Sequence, residues 1–329
     1  MKRIKKIIVF LLVVTMLLSL SGCTKKQEAS QSQAELYSEN IDKTSKWLID
    51  TIPEATIGST GGEWLILGLS RSDIEVPEEY FEKYYENLCD YVQQNAGVLD
   101  TNKYTEYSRV IIALSAIGKN PADVAGYNLL VPLADFEQTI YQGLNGPIYA
   151  LLALDSGNYE VPENIADSTQ ATRQMYVDYI LSNEASEGGW SLSGNSGDVD
   201  ITAMALQALS KYTEQPEVKA AIDRGVEFLS KKQNENGGFE SFGAEGSESI
   251  SQVITALAEL GIDADDQRFV KKGNTLYGRL MEFMQEEGGF CHTLDMPKNN
   301  LMATEQAFYA LVSLERFENQ KPSLYRIAE

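Results

Sequence analysis

Two kinds of helical pattern alternate along this chain. In one, apolar residues recur every three or four positions among charged ones, as in a helix that buries a single stripe. This pattern predicts helices over Gln33–Thr51, Pro77–Asn95, Ser168–Glu184, Pro216–Asn234 and Asp265–Glu286, with a shorter one at Leu133–Tyr141. The other kind is apolar almost all round and falls at Glu63–Leu69, Tyr104–Ile117, Gly146–Leu154, Asp198–Leu209, Ser249–Leu260 and Met302–Leu314. A helix apolar on every side is buried, so the second set predicts an inner layer wrapped by the first. No window sustains the period-two alternation that a half-buried strand requires.

The connections repeat. Gly188-Gly189-Trp190, Gly237-Gly238-Phe239 and Gly288-Gly289-Phe290 each follow a charged helix and precede an apolar one, at intervals of 49 and 51 residues. A unit of that length cannot bury its own apolar face, so the core must come from units packed side by side. The expected fold is all-α: a closed α/α toroid of about six helix pairs, because closing the ring removes the exposed ends of an open array. Glycine pairs supply the positive φ needed to leave a helix. Asp198 is placed to cap the inner helix that follows it, with Asp200 in the first turn, where the helix dipole favours carboxylates.

The N-terminus changes the picture of where the protein works. Lys2, Arg3, Lys5 and Lys6 precede an apolar run from Ile7 to Leu18, too short to span a bilayer comfortably, and then comes Leu20-Ser21-Gly22-Cys23. This resembles the lipobox of bacterial lipoproteins and implies a signal peptide over 1–22, acylation of Cys23 and anchorage in the extracytoplasmic face of the cell membrane. Two acyl chains suffice for stable anchoring. A polar segment with no large apolar residue follows from Thr24 to about Glu35, so 23–40 is assigned to the lipidated cysteine and a flexible tether. The toroid is assigned to 41–318 and a tail to 319–329. Removing the leader takes four of the 27 basic residues and none of the 48 acidic ones, leaving a charge of −25. Such a charge argues against nucleic acid, which needs a basic stripe. Cys89 and Cys291 are expected to be unpaired thiols.

Arg224-Gly225, Phe228-Leu229, Gln233 and Gly237-Gly238-Phe239 match the spacing of the QW repeat of squalene/hopene cyclases, with Phe for the terminal Trp. Tyr179-Ile180 and Gly188-Gly189-Trp190 keep that spacing with Glu184 at the Gln position. Leu280-Met281, Gln285 and Gly288-Gly289-Phe290 make a copy one residue shorter. The chain thus resembles the toroids of the terpene cyclase and protein prenyltransferase superfamily. Tyr127–Phe136, Gln142–Ile148 and Asp198–Leu209 are further similar to bacterial surface proteins with a prenyltransferase-like toroid. Some of these carry a small β domain similar to that of transcobalamin and intrinsic factor, which is not expected here. The resemblance implies a cofactor-like small molecule as one ligand, of whose site this chain would supply half.

Candidate chemistry is sparse. Asp198-Val199-Asp200-Ile201-Thr202-Ala203 is close to the D-x-D-D-T-A motif of class II terpene cyclases, and the resemblance makes Asp200 the proton donor, with Ile201 at the third acid. Such a donor must stay neutral in an apolar pocket. Capping and ligand contact remain open for both acids. Zinc is not expected: the single histidine, His292, adjoins Cys291, and the pair falls short of three protein ligands. No nucleophile elbow or phosphate loop is present, and no cofactor is expected.

What remains is a set at the starts of the inner helices: Glu63, Trp64, Glu106, Tyr107, Arg109, Asn145, Trp190, Asp198, Asp200, Glu248, Gln252, Glu305, Gln306 and Tyr309. If every inner helix enters from one end, these residues surround one mouth. Aromatic walls with a few convergent polar groups suit a small molecule or peptide. Arg109, a cation among acids, is expected either to pair internally or to grip an anion. The expected function is binding of a small molecule, peptide, glycan or separate surface protein at that mouth, without covalent chemistry. The alternatives are a cyclase or prenyl-transfer enzyme using Asp198 and Asp200, and a structural partner of another surface protein.

Overall fold

Twelve α-helices run through the computed structural model, which describes residues 32–241 and 243–328. The leader and Cys23 lie outside the described residues. In chain order the helices are α1 (Gln33–Thr51), α2 (Glu63–Arg71), α3 (Glu78–Gln94), α4 (Thr105–Ala116), α5 (Phe136–Ile140) and α6 (Asn145–Ser156). They continue with α7 (Arg173–Ser182), α8 (Val199–Leu209), α9 (Pro216–Lys232), α10 (Ser247–Glu259), α11 (Leu276–Met281) and α12 (Leu301–Glu318). Two short strands, β1 (Glu240–Ser241) and β2 (Ala244–Glu245), form an antiparallel hairpin before α10.

The even-numbered helices form the inner layer. Each packs against the next, and α12 packs back on α2, so the ring closes. Almost every residue of α4 and α10, and most of α12, is buried, as all-round apolar helices require. Outside them, α1 packs on α12, α7 on α6, α9 on α8 and α11 on α10. The outer α1 buries only Tyr37, Ile41, Thr44, Ser45 and Leu48, a single stripe.

All inner helices enter from one end. The Gly61 N–H, just before α2, donates to Glu305 in the second turn of α12 at 2.7 Å, and Arg109 of α4 reaches Glu63 of α2 at 3.4 Å. At the opposite end Ser156 of α6 bonds Ser115 of α4, and Arg316 of α12 donates to the Arg71 carbonyl closing α2. We call these ends the front and the rear.

The glycine-aromatic turns lock each outer helix to the next inner one. Gly189 has φ +78°, and a Cβ there would sit 2.7 Å from Thr202 Oγ1 and 2.9 Å from the Phe228 ring. Trp190 behind it is fully buried; its backbone N–H donates to Thr202 Oγ1 and its indole N–H to the Ile180 carbonyl. The third copy repeats the device, with the Phe290 N–H donating to Thr304 Oγ1. Asp198 caps α8 through the Ile201 N–H, and Asn300 caps α12 through that of Ala303.

Three expectations need adjustment. The outer segment Asp265–Glu286 is not one helix: a 3-10 turn covers Gln267–Phe269, a tight turn follows at Lys271–Asn274, and only Leu276–Met281 is α-helical. Lys272 and Gly273 both have positive φ there, which no helix accommodates. The folded part begins ahead of residue 41, since Tyr37 of α1 is already buried and Gln33 bonds Asp265. The segment after α12 is a strap rather than a tail. Arg71 donates to the carbonyls of Pro322, Ser323, Leu324 and Arg326, and Glu259 accepts from Ser323 Oγ and the Tyr325 N–H. Leu324 and Tyr325 are buried and close the rear.

Candidate functional site at the barrel mouth

Three rings from separate inner helices meet inside the front end. Trp64 of α2 lies 5.6 Å from Tyr149 of α6 and 6.4 Å from Tyr309 of α12, centroid to centroid. The Tyr149 hydroxyl donates to the Met204 sulfur on α8. Behind the rings, Gln207 donates to Gln252, and Gln252 donates to Gln306 and to the Tyr309 hydroxyl at 2.6 Å. This relay crosses α8, α10 and α12. A buried polar network with its members paired rigidifies a core, so the rings and amides form a fixed lining beneath the mouth.

The carboxylates divide into two groups. On the α2 side, Glu63 is buried, accepts from the Gly58 N–H and the Tyr84 hydroxyl, and faces Arg109. Arg109 spends two donors on Glu106, at 3.0 and 2.5 Å. Burial pushes Glu63 up to about 7, against the pull of Arg109. Glu305 is buried beside it with no cation of its own; burial raises it to about 8, partly opposed by the Gly61 N–H. These two acids staple the loop that leads into α2.

On the α8 side, Asp198 caps its helix with one oxygen and accepts from Ser241 Oγ with the other. Asp200 behaves differently. Burial raises its pKa, partly opposed by the Ser249 and Ser241 hydroxyls and assisted by the charges of Asp198 and Glu248. Its Oδ1 is buried with no hydrogen-bond partner. Burial of this kind favours the neutral form of a carboxyl, the form that can donate a hydrogen bond or a proton.

Most of the expected mouth residues come together. Trp64, Glu106, Asn145, Asp200, Glu248 and Gln306 are half-buried at the front, while Arg109, Gln252, Glu305 and Tyr309 lie beneath them. Two do not belong. Trp190 is buried in the turn behind α8, and the Tyr107 hydroxyl accepts from the Leu99 N–H while its ring packs on Tyr104, away from the barrel axis. Both fail because an aromatic near a helix start can face either layer. Arg109 pairs internally and presents no free donor fork. The sequence pattern singles out none of Tyr149, Met204 and Gln207, although Tyr149 follows Asn145 by one helical turn and so shares its face. His292 lies in the loop that leads into α12. Its Nδ1 lies 2.8 Å from both carboxylate oxygens of Glu248 at the front.

The front carries an apolar rim. Val98, Tyr141, Leu192, Leu294, Met296 and Met302 are exposed, and each lies in a segment leading into an inner helix or in its first turn. Cys89 and Cys291 are free thiols. Among the described residues no group of three or more His, Cys, Asp or Glu could hold a metal ion, and no helix is long and apolar enough to cross a membrane.

No family model matches the chain. Sporulenol synthase of Bacillus subtilis (strain 168) is 26% identical over 149 residues, 40% of this chain; the chain spans about a fifth, 22%, of that relative's length. Among solved structures, the type II terpene cyclase MstE from Scytonema, in complex with geranylgeranyl dihydroxybenzoate, superposes with a TM-score of 0.59 at 13% identity, covering 86% of this chain and 99% of that one. Unsaturated glucuronyl hydrolase from Bacillus sp. GL1 gives 0.54 at 10% identity, covering 89% and 98%. These likenesses establish the α/α-toroid fold.

Proposed function

We propose that this protein is a lipid-anchored binding toroid that docks a ligand or partner across its front mouth and performs no covalent chemistry of its own. The observation carrying this reading is the rim: six of the eight large apolar side chains exposed among the described residues lie at one end, where an interface would use them. Beneath it Trp64, Tyr149, Met204 and Gln306 stay half-buried, so aromatic and amide groups line the mouth for a ligand to meet.

The attachment geometry is compatible with this role. Gln33, the first residue of α1, bonds Asp265 in the loop that follows α10, at the rear. A lipid on Cys23 would therefore hold the protein by the end opposite the mouth and leave the rim facing a partner. The candidates are a cofactor-like small molecule, a peptide, a glycan or a separate surface protein. Nucleic acid is disfavoured by the net charge of −21.

Native mass spectrometry of the protein purified from its own host tests the proposal. A retained mass that disappears in Leu192→Ser/Met296→Ser is the expected result. Protein recovered bare, or a mass indifferent to both changes, would remove the support.

A second reading rests on Asp200. Its burial, its unpartnered Oδ1 and the resemblance of its motif to the terpene cyclases favour a proton donor acting on an alkene. Incubation with squalene or geranylgeraniol decides it: a cyclised product formed by the wild type and lost in Asp200→Asn would replace the binding proposal.

A further inference from the structure

The strap behind α12 is seated much as a bound peptide would be. Among the described residues 322–328, only the Ala328 N–H bonds the body main chain to main chain, at the Ser156 carbonyl. Side chains hold the rest. Arg71 and Arg316 clasp the carbonyls of Pro322, Ser323, Leu324 and Arg326, and Glu259 accepts from Ser323 Oγ and the Tyr325 N–H. Leu324 and Tyr325 are its buried anchors.

On its other flank the strap borders a hollow of about 730 Å³, where Lys321, Pro322 and Ser323 face Leu260 and Phe317. A segment held by side chains and packed on one flank belongs to the low-stability end of a fold. The clasp adds to this. Burial lowers Arg71 to about 10, with the charge of Arg316 adding to the drop and that of Glu259 opposing it. Carbonyls are neutral, so the seated strap keeps two like charges from water, and opening rehydrates them.

Tyr325 connects the strap to the other end of the barrel. Around a void of about 20 Å³ it lies with Glu259, Arg326 and, from inside the barrel, Gln207. Gln207 begins the relay that runs through Gln252 to the Tyr309 hydroxyl. Burial holds that hydroxyl well above the usual phenol range, and the nearby Tyr325 and Tyr149 push it further. Tyr149 and Tyr309 are in turn the rings on which Trp64 rests at the front.

We propose that the segment 320–328 is a latch that opens as a unit while the barrel stays folded, and that its seating fixes the lining of the front mouth through Tyr325. With the latch out, Tyr149 and Tyr309 lose the ring behind them, and Trp64 loses its fixed support. Two discrete positions of the strap supply the bistable element that such coupling needs. The coupling joins the strap to the lining, so it holds whether the mouth binds or catalyses.

Hydrogen exchange of the full-length protein, read by mass spectrometry, tests both parts. In the wild type the segment 322–328 is expected to exchange at least about tenfold faster than 305–312 of α12. Strap amides that exchange no faster than those of α12 overturn the latch, and that comparison needs no variant. Leu324→Ala and, separately, Arg71→Gln loosen the strap without touching the mouth. Each should raise exchange in 147–153 and 305–312 by about tenfold over the wild type and leave 110–114 of α4, equally buried, unchanged. A rise of the same size in all three segments is a general loss of stability and overturns the coupling. So does a faster strap with no change at 147–153 and 305–312.

Discussion

Glu305 is a carboxylic acid sealed between α12 and the loop entering α2, where its Oε1 accepts the Gly61 N–H and no cation faces it. Burial raises it from 4.5 to about 8 in the folded protein. Between those values the folded chain holds a proton that the unfolded chain has released, so stability falls as pH rises. The contribution is fully present below about pH 4.5 and is lost as pH climbs through 8. At about 1.4 kcal/mol per pH unit the difference is at most about 5 kcal/mol, and relaxation around a buried charge makes about 2–3 kcal/mol the working figure. Glu305→Gln keeps an oxygen for the Gly61 N–H and removes the ionisation. Urea unfolding of both proteins at pH 5, 7 and 9 should show the variant gaining about 2–3 kcal/mol on the wild type across that range. Curves that stay parallel from pH 5 to 9 would refute the claim that Glu305 folds as the neutral acid.

Arg109→Met leaves Glu63 buried without its cation and should cost about 3–5 kcal/mol, measured by thermal melting at pH 8. The loss should shrink below pH 7, where Glu63 is neutral, and in the double variant with Glu63→Gln. Gly189→Ala must adopt φ +78° and meets Thr202 and Phe228, so it should lower stability by roughly 2–4 kcal/mol. Gly194→Ala, with φ +84° and open space around it, should cost only about 1 kcal/mol, and equal melting temperatures for the two would contradict the packing argument. Tyr325→Ala should cost about 3–5 kcal/mol and raise hydrogen exchange at the rear, where the strap covers Ser156 and Glu259. An unchanged exchange map would mean that the strap does not seal the barrel.

Much of the architecture was legible before any coordinates. The six all-round apolar segments became the inner ring and the striped ones the outer ring, because burial on all sides and on one side leave different marks. Asp198 was readable as a cap, since an Asp before an apolar run has one dominant local use. The outer segment after residue 265 reads as one helix because Lys271–Asn274 is a turn inside an otherwise helical composition. The mouth was half legible. Helix starts could be located, but whether Trp190 or Tyr107 faced the axis could not, because a ring beside a turn has two apolar layers to choose from. His292 has no visible partner in the chain because Glu248 stands 44 positions away and meets it only where the start of α10 packs beside the loop leading into α12.

The chain by itself determined the repeat length, the two helix classes and the expectation that the ring closes, all of which follow from local periodicity and glycine conformation. Only the tertiary structure decided that Arg109 is consumed by Glu63 and Glu106, that Glu305 and Asp200 lie where burial raises their pKa, and that the segment 320–328 plugs the rear. Those outcomes depend on which side chains from distant turns reach the same few cubic ångströms. Desolvation and pairing there are properties of the assembled space, which no linear spacing encodes.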